Sequence, residues 1–237
     1  MATRAVDTDA LALKTTWRES TKQIVGAILV ALLLRSFVVE AFKIPSGSMI
    51  PTLHIGDQIF VNKFIYGPRI PFTEIRIMEW AQPKRGEVIV FVIPTESHED
   101  LIKRVIGVPG DTIQVRDGTL LLNGSAVQDE VLGKSTEWDR KLETGIWSQQ
   151  HSTAITERLD DKTFTVLDDG ETRGDSMGPF TVKPGHVFVM GDNRDRSYDS
   201  RFWGQVPMQN VLGRAMFVWW SWGKEGFDAK RLGTWIN

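Results

Sequence analysis

Leu101-Ile102-Lys103-Arg104-Val105-Ile106-Gly107-Val108-Pro109-Gly110-Asp111 is an apolar, β-branched run closed by a turn signal, with two cations set into it. Isoleucine and valine suit a pleated, half-buried surface, and Pro-Gly-Asp ends strand pairing because proline lacks an N–H and glycine frees the backbone. Comparable runs lie on both sides of it: DQIFVNKF (57–64), GEVIVFVIP (86–94), TIQVRDGTLLLNG (112–124), TFTVLDDG (163–170), HVFVMGDN (186–193) and AMFVWWSW (215–222). Together they predict an all-β or mostly β body. Asp117-Gly118 and Asn123-Gly124 are hairpin-type turn pairs, so Thr119 to Leu122 reads as a short strand between two turns. From Gln128 to Ser152 the chain is more polar and lacks a period, which predicts a loop-rich stretch.

Upstream of these strands, Ile24 to Leu34 (IVGAILVALLL) carries no charge, and the window extended to Phe42 contains only Arg35 and Glu40. As a helix that window spans roughly 28 Å, close to the thickness of a bilayer core. No polar face interrupts it, which argues against a buried core helix. A cleavable secretory signal would have an unusually long region before its apolar stretch, so the run is read as a retained anchor. Val39-Glu40-Ala41 still has the spacing of a cleavage signal, and self-cleavage after Ala41 is a further expectation. Arg4, Lys14, Arg18 and Lys22 precede the run, which predicts a cytoplasmic N-terminus and an extracytoplasmic body, with Arg35 snorkelling toward the far interface.

Across its 237 residues the chain sets 28 Lys+Arg against 30 Asp+Glu, a formal net charge of −2, which excludes attachment to nucleic acid by bulk charge. The absence of cysteine excludes disulfides, a thiolate nucleophile and a Cys-ligated zinc site. Nine Trp and 12 Phe point to a membrane surface, where an aromatic ring is apolar at one end and wet at the other.

Three segments can carry chemistry. In Ile44-Pro45-Ser46-Gly47-Ser48-Met49-Ile50-Pro51-Thr52-Leu53, flanking prolines and a glycine between two serines make a tight turn with little freedom to lose. Such a turn can present one hydroxyl outward beside an N–H and a second hydroxyl, as a nucleophile with an oxyanion hole requires; it can equally be a turn without chemistry. Lys103 stands inside an apolar strand, where burial would disfavour the ammonium and leave an amine able to act as a base; the plainer reading has Lys103 and Arg104 straddling the strand with one of them in water. Gly191-Asp192-Asn193-Arg194-Asp195-Arg196-Ser197-Tyr198-Asp199-Ser200-Arg201 is either a solvated loop closed by local ion pairs or a polar cluster that orients the base. His54, His98, His151 and His186 stand in unlike contexts without a G-x-S-x-G elbow, and a Ser-His-Asp triad stays open because its members are joined only in space.

PSGSMIPTL, GDQIFVNKF, RGEVIVF, IKRVIGVPGD and GDNRDRSYDSRFWG, in this order, resemble the bacterial type I signal peptidases, membrane-anchored serine proteases that remove signal peptides from secreted preproteins. Glu87 stands where that family more often has Asp, and its positions at Arg196 and Tyr198 are variable. The resemblance implies Ser48 as nucleophile and Lys103 as general base, a Ser-Lys dyad without histidine. Ser46 would lend its hydroxyl, with the Ser48 N–H, to the oxyanion hole, and Ser197 would hydrogen-bond the Lys103 amine. Arg104 with Asp192 and Asp199 with Arg201 would be supporting ion pairs, and Gly191 would let backbone approach the site. Phe42, Ile44, Ile59, Val90 and Ile102 would line a −3 pocket, while Met49 and Leu53, with Ile44 and Ile102, would border a −1 pocket. Shallow pockets of this kind select Ala-x-Ala, with the peptide extended as an added strand beside Leu101 to Lys103.

By the same resemblance, the chain divides into a cytoplasmic segment (1–20), a single transmembrane helix (21–42), a catalytic antiparallel β domain (43–111 and 186–237) and an inserted smaller β cap (112–185). It would act as a monomer in the bacterial inner membrane, on preproteins and against lipid, without metal or organic cofactor and without nucleic acid. Phe60, Trp219, Trp220 and Trp222 would dip into the lipid. Two rivals fit less well: a self-cleaving repressor-like Ser-Lys peptidase needs a DNA-binding head that residues 1–42 do not offer, and a non-catalytic peptide-binding β module has no need of both Ser48 and Lys103.

Overall fold

The computed structural model describes residues 17, 19–28, 39–70, 76–95, 99–141, 144–170, 174 and 176–237. Its strands are β1 (Val39–Lys43), β2 (Asp57–Asn62), β3 (Val88–Val92), β4 (Asp100–Gly107), β5 (Thr112–Arg116), β6 (Thr119–Leu122), β7 (Ser125–Ala126), β8 (Gln128–Arg140), β9 (Trp147–Leu159), β10 (Lys162–Asp168), β11 (Met177–Thr181), β12 (His186–Met190), β13 (Val206–Pro207), β14 (Val211–Gly223) and β15 (Gly226–Phe227). The main sheet has the order β1-β2-β14-β3-β4-β12-β13, with β15 paired to β14. β10-β9-β8 and β11-β5-β6-β7 form two smaller sheets, and every strand pair is antiparallel.

β3 shows why its sequence lacks polar alternation. Val88 and Val90 enter one apolar cluster with Ile44, Met49, Leu53, Ile59 and Val218, while Ile89 and Phe91 enter another with Val105, Val187, Val189, Val206 and Val211. A strand covered on both faces reads as a continuous apolar run. In a third cluster Ile106, Phe188 and Met190 of the main sheet pack with Ile113, Leu120, Phe164 and Val166 of the smaller sheets, fastening them to the end of β4 and β12. Each such side chain contributes about 1.5–3 kcal/mol by leaving water.

The stretch expected to be loop-rich, Gln128 to Ser152, is instead mostly strand. β8 and β9 pair from Gln128↔Glu157 to Arg140↔Trp147 as a long hairpin. Register shifts between Gln128 and Glu130 and between Val131 and Gly133 break any period, and Val131 and Leu132 are both exposed, so burial imposes no strict alternation on this part of β8.

The apolar window is likewise corrected at its far end. Residues 19–28 are helical, but Val39 to Lys43 pair with β2, Ala41 opposite Phe60 and Phe42 opposite Ile59. An anchor helix therefore does not extend to Phe42; residues 29–38 lie outside the described residues, as does His98. Among the described residues no helix is long and apolar enough to cross a membrane.

Candidate active site

The two-serine turn follows β1 and is held from below by its own apolar residues. Met49, Ile50 and Leu53 are fully buried, and the Ile44 N–H donates to Asp57 O while the Gly56 N–H donates to Ile44 O, at 2.8 and 2.9 Å. These anchors leave Ser48 only 8% exposed and place it against β4.

From β4, Lys103 meets it. Lys103 Nζ donates to Ser48 Oγ at 2.7 Å and to Ile102 O at 2.9 Å, and the side chain is 3% exposed. Burial lowers the lysine pKa to about 8, outweighing the opposing pull of Asp199 and Asp192. An amine with this pKa is neutral in about a tenth of molecules at pH 7 and in most above pH 8, and its lone pair can take a proton from the hydroxyl it touches. Arg104, the neighbouring cation, is buried too, so neither residue of the pair stands in water.

Ser46, Gly47, Ser48, Leu101 and Lys103 open on a cavity of about 540 Å³, which is also lined by Asp139 to Lys141 at the end of the β8–β9 hairpin and by Arg196 and Tyr198. β12 pairs with β4 only over Arg104 to Gly107, so at Leu101 to Lys103 the strand has β3 on one edge and this cavity beside it. On the other side of the turn, Ile44, Met49, Leu53, Ile59 and Val90 gather in one buried cluster, with Phe42 and Ile102 partly exposed at its margin. Leu101 packs with Ile89 and Phe91 instead.

Comparison with known proteins bears on this arrangement. The family model for signal peptidase, peptidase S26, matches residues 17–220. The chain belongs to that family. Signal peptidase I of Pseudomonas fluorescens is 39% identical over 214 residues, covering 85% of this chain and 72% of that protein. Signal peptidase I of Pseudomonas aeruginosa is 38% identical over 213 residues, again covering 85% and 72%. A crystal structure of a signal peptidase I from Enterococcus faecalis V583 aligns with 28% identity and a TM-score of 0.34, covering 56% of this chain and 97% of that one. As a member of the signal peptidase family the chain is a peptide-bond hydrolase.

Around Ser48 and Lys103, this peptidase holds its charges in pairs. Arg104 Nε and Nη2 donate to Asp192 Oδ1 and Oδ2 at 2.8 and 2.7 Å, and Thr52 Oγ1 donates to Asp192 Oδ2 at 2.5 Å. The Arg104 guanidinium lies 4.0 Å from the centre of the Phe164 ring. Breaking a buried pair of this kind strands the remaining charge and typically costs about 3–5 kcal/mol. Asp199 accepts from Arg201 Nε at 2.9 Å and Nη2 at 3.0 Å, and from the Gly191 N–H at 3.0 Å. A Cβ on Gly191 would fall on Ser197 Oγ and Ser48 O, well inside contact distance.

One expected contact is not formed. Ser197 Oγ is buried with no hydrogen-bond partner, because the Lys103 ammonium is turned to Ser48 Oγ and Ile102 O while the serine packs over Gly191. Nor are the ion pairs of the 191–201 segment all local. Arg194 forms a buried two-bond pair with Glu157 of β9, and Arg196 reaches Asp169 at 2.8 Å. Glu87 accepts from Tyr66 Oη at 2.7 Å and from Arg214 Nη1 at 2.9 Å.

Sequence reasoning missed Asn193 and Gln150. Both are fully buried; the Asn193 N–H donates to Ser48 O at 3.1 Å and Asn193 Nδ2 to Gly47 O at 2.9 Å. Asn193 stood in a quoted motif as one polar residue among many. Gln150 lay in the stretch read as loop, where nothing local marks an amide as buried.

Proposed function

We propose that this chain is a membrane-anchored serine endopeptidase that removes signal peptides from secreted preproteins, cutting after an Ala-x-Ala site, with Ser48 as nucleophile and Lys103 as general base. The observation that carries the reading is the 2.7 Å contact between Lys103 Nζ and Ser48 Oγ in a site where burial depresses the lysine pKa.

With Lys103 neutral, the hydrogen bond reverses and the Ser48 hydroxyl donates to the amine. Ser48 Oγ attacks the scissile carbonyl carbon while its proton passes to Lys103. The oxygen that gains charge is held by the Ser48 N–H and the Ser46 hydroxyl. As the carbon–nitrogen bond breaks, the lysine ammonium gives its proton to the leaving amine, and the signal peptide stays on Ser48 as an ester. Water then attacks that ester, losing a proton to the same amine and restoring Ser48. Asp192, Asp199, Arg104 and Arg201 hold the walls, and Gly191 leaves room for the turn.

A substrate lying extended beside Leu101 to Lys103 presents alternate side chains to the cluster of Ile44, Met49, Leu53, Ile59 and Val90, whose margin is Phe42 and Ile102. Small side chains fit against so full a cluster and larger ones overlap it. The uncharged run Ile24 to Leu34 supports an anchor, and the aromatic face of Phe60, Trp219, Trp220 and exposed Trp222 supports contact of the body with lipid. The anchor's orientation and the inserted cap (112–185) belong to this proposal as well.

The test is cleavage of a preprotein whose signal peptide ends in Ala-x-Ala by wild type, Ser48→Ala and Lys103→Met. Loss of cleavage in both variants is expected. Activity retained in Lys103→Met would replace the dyad with another base, and a wild type that binds but never cuts would make the chain a peptide-binding module.

A further inference from the structure

Gly47 O and Ser48 O, the two carbonyls that flank the nucleophile's own Cα, both accept from Asn193. Asn193 in turn is locked by Gln150 of β9. Gln150 Nε2 donates to Asn193 Oδ1 at 2.7 Å and Asn193 Nδ2 donates to Gln150 Oε1 at 2.9 Å, a reciprocal amide pair with no exposure to solvent. Behind it, Gln150 Nε2 also reaches Ser152 Oγ at 2.9 Å and Asp169 Oδ1 at 3.1 Å. Both protons of Asn193 Nδ2 are thereby committed, one to Gly47 O and one to Gln150. A flipped Asn193 amide would set its oxygen against both the Gly47 carbonyl and Gln150 Oε1, and Gln150 adds two hydrogen bonds that hold the amide plane in this orientation.

We propose that Gln150 is a positioning residue for Ser48, acting from the β8–β9 hairpin through Asn193. The inference rests on reading Ser48 as the nucleophile. It makes the hairpin a structural part of the active site, since the nucleophile turn is held at Ile44 and Gly56 from the main sheet and at Gly47 and Ser48 by Asn193, whose side chain the hairpin fixes.

The experiment is steady-state cleavage of a preprotein by the full chain carrying Gln150→Met, which keeps the volume and removes all four side-chain hydrogen bonds of Gln150, the two to Asn193 among them. The expected result is a fall in kcat of about 10- to 100-fold, the scale of a small misplacement of a reacting group. KM should stay within about twofold, because the walls beside β4 are untouched. Gln150→Glu is the conservative variant: beside Asp169 its buried carboxyl is held neutral, keeps an acceptor for Asn193 Nδ2 and one donor, and restores part of kcat, with a deficit that grows as rising pH ionises it. In an Asn193→Ala background, adding Gln150→Met should cost nothing more. Wild-type kcat in Gln150→Met, a loss confined to KM, or fully additive losses in the double variant would each overturn the proposal. Ser48→Ala and Lys103→Met run beside them separate the two readings. If they keep activity, the nucleophile assignment fails; if they are dead while Gln150→Met cuts normally, only the positioning role fails.

Discussion

Lys103 Nζ touches Ser48 Oγ at 2.7 Å while Asp192 and Asp199, the carboxylates that would favour its charged form, are each occupied by an arginine. Desolvation outweighs the remaining pull of both carboxylates and holds the lysine pKa at about 8. In the proposed mechanism the base is neutral Lys103, so kcat/KM should rise about tenfold per pH unit below about 8 and level off above it. A pH profile of preprotein cleavage checks this; a plateau reached well below pH 7 would point to a different base.

The same burial has a consequence for stability. An ordinary lysine titrates at 10.5 and this one at about 8, so between those values the unfolded chain binds more protons than the folded one and stability increases with pH. Below about pH 8 the fold carries the full penalty. Lys103→Met should therefore raise the unfolding free energy at pH 7, by up to about 3 kcal/mol, with the gain shrinking toward pH 10.5. Denaturant melts of the two proteins at pH 7 and pH 10 measure it; a destabilised Lys103→Met at pH 7 would show that packing and hydrogen bonds outweigh desolvation.

Gly191→Ala tests how tightly the backbone behind the nucleophile is packed. The new methyl group would collide with Ser197 Oγ and the Ser48 carbonyl, and that carbonyl cannot move without taking Ser48 along. Overpacking of this kind costs about 1–3 kcal/mol, and a loss of kcat of about 100-fold is expected with it. Thermal melting and single-turnover cleavage, measured together, separate the two effects.

The aromatic face makes its own prediction. Phe60 stacks with Trp219 at 5.4 Å, Trp220 lies 4.8 Å from Phe227, and Trp222 is 60% exposed. A fragment starting at Val39 should bind lipid vesicles, and Trp220→Ala with Trp222→Ala should weaken binding by about tenfold or more. Sedimentation with vesicles reads the affinity, and an unchanged value would remove the lipid role from these rings.

Strands such as β3 and β4 were legible because continuous β-branched runs bounded by Gly and Pro leave little else to form. The Ser46–Ser48 turn was legible through its prolines, and Lys103 through its apolar neighbours. The hairpin β8–β9 was not, since bulges near Gln128 and Val131 erase the two-residue period on which strand reading depends. Gln150, Glu157 and Asn193 were invisible as a group because each is an ordinary polar residue until long-range pairing buries it. Ser197 was placed near the base by resemblance, yet its hydroxyl found no partner, a matter of side-chain rotation that no motif encodes.

The change of neighbour along β4 has a further meaning. Beyond Arg104 the strand is sealed by β12, but Leu101 to Lys103 face a cleft with Asp139, Arg140 and Lys141 across from them. A bare strand edge ordinarily invites pairing with the edge of another folded molecule. Here the bare stretch is three residues deep in a charged trench, too short and too recessed for a second sheet to dock. In the proposed function a single extended chain with no partners of its own can still slide in, so the trench would tell unfolded polypeptide from folded protein before any side chain is read.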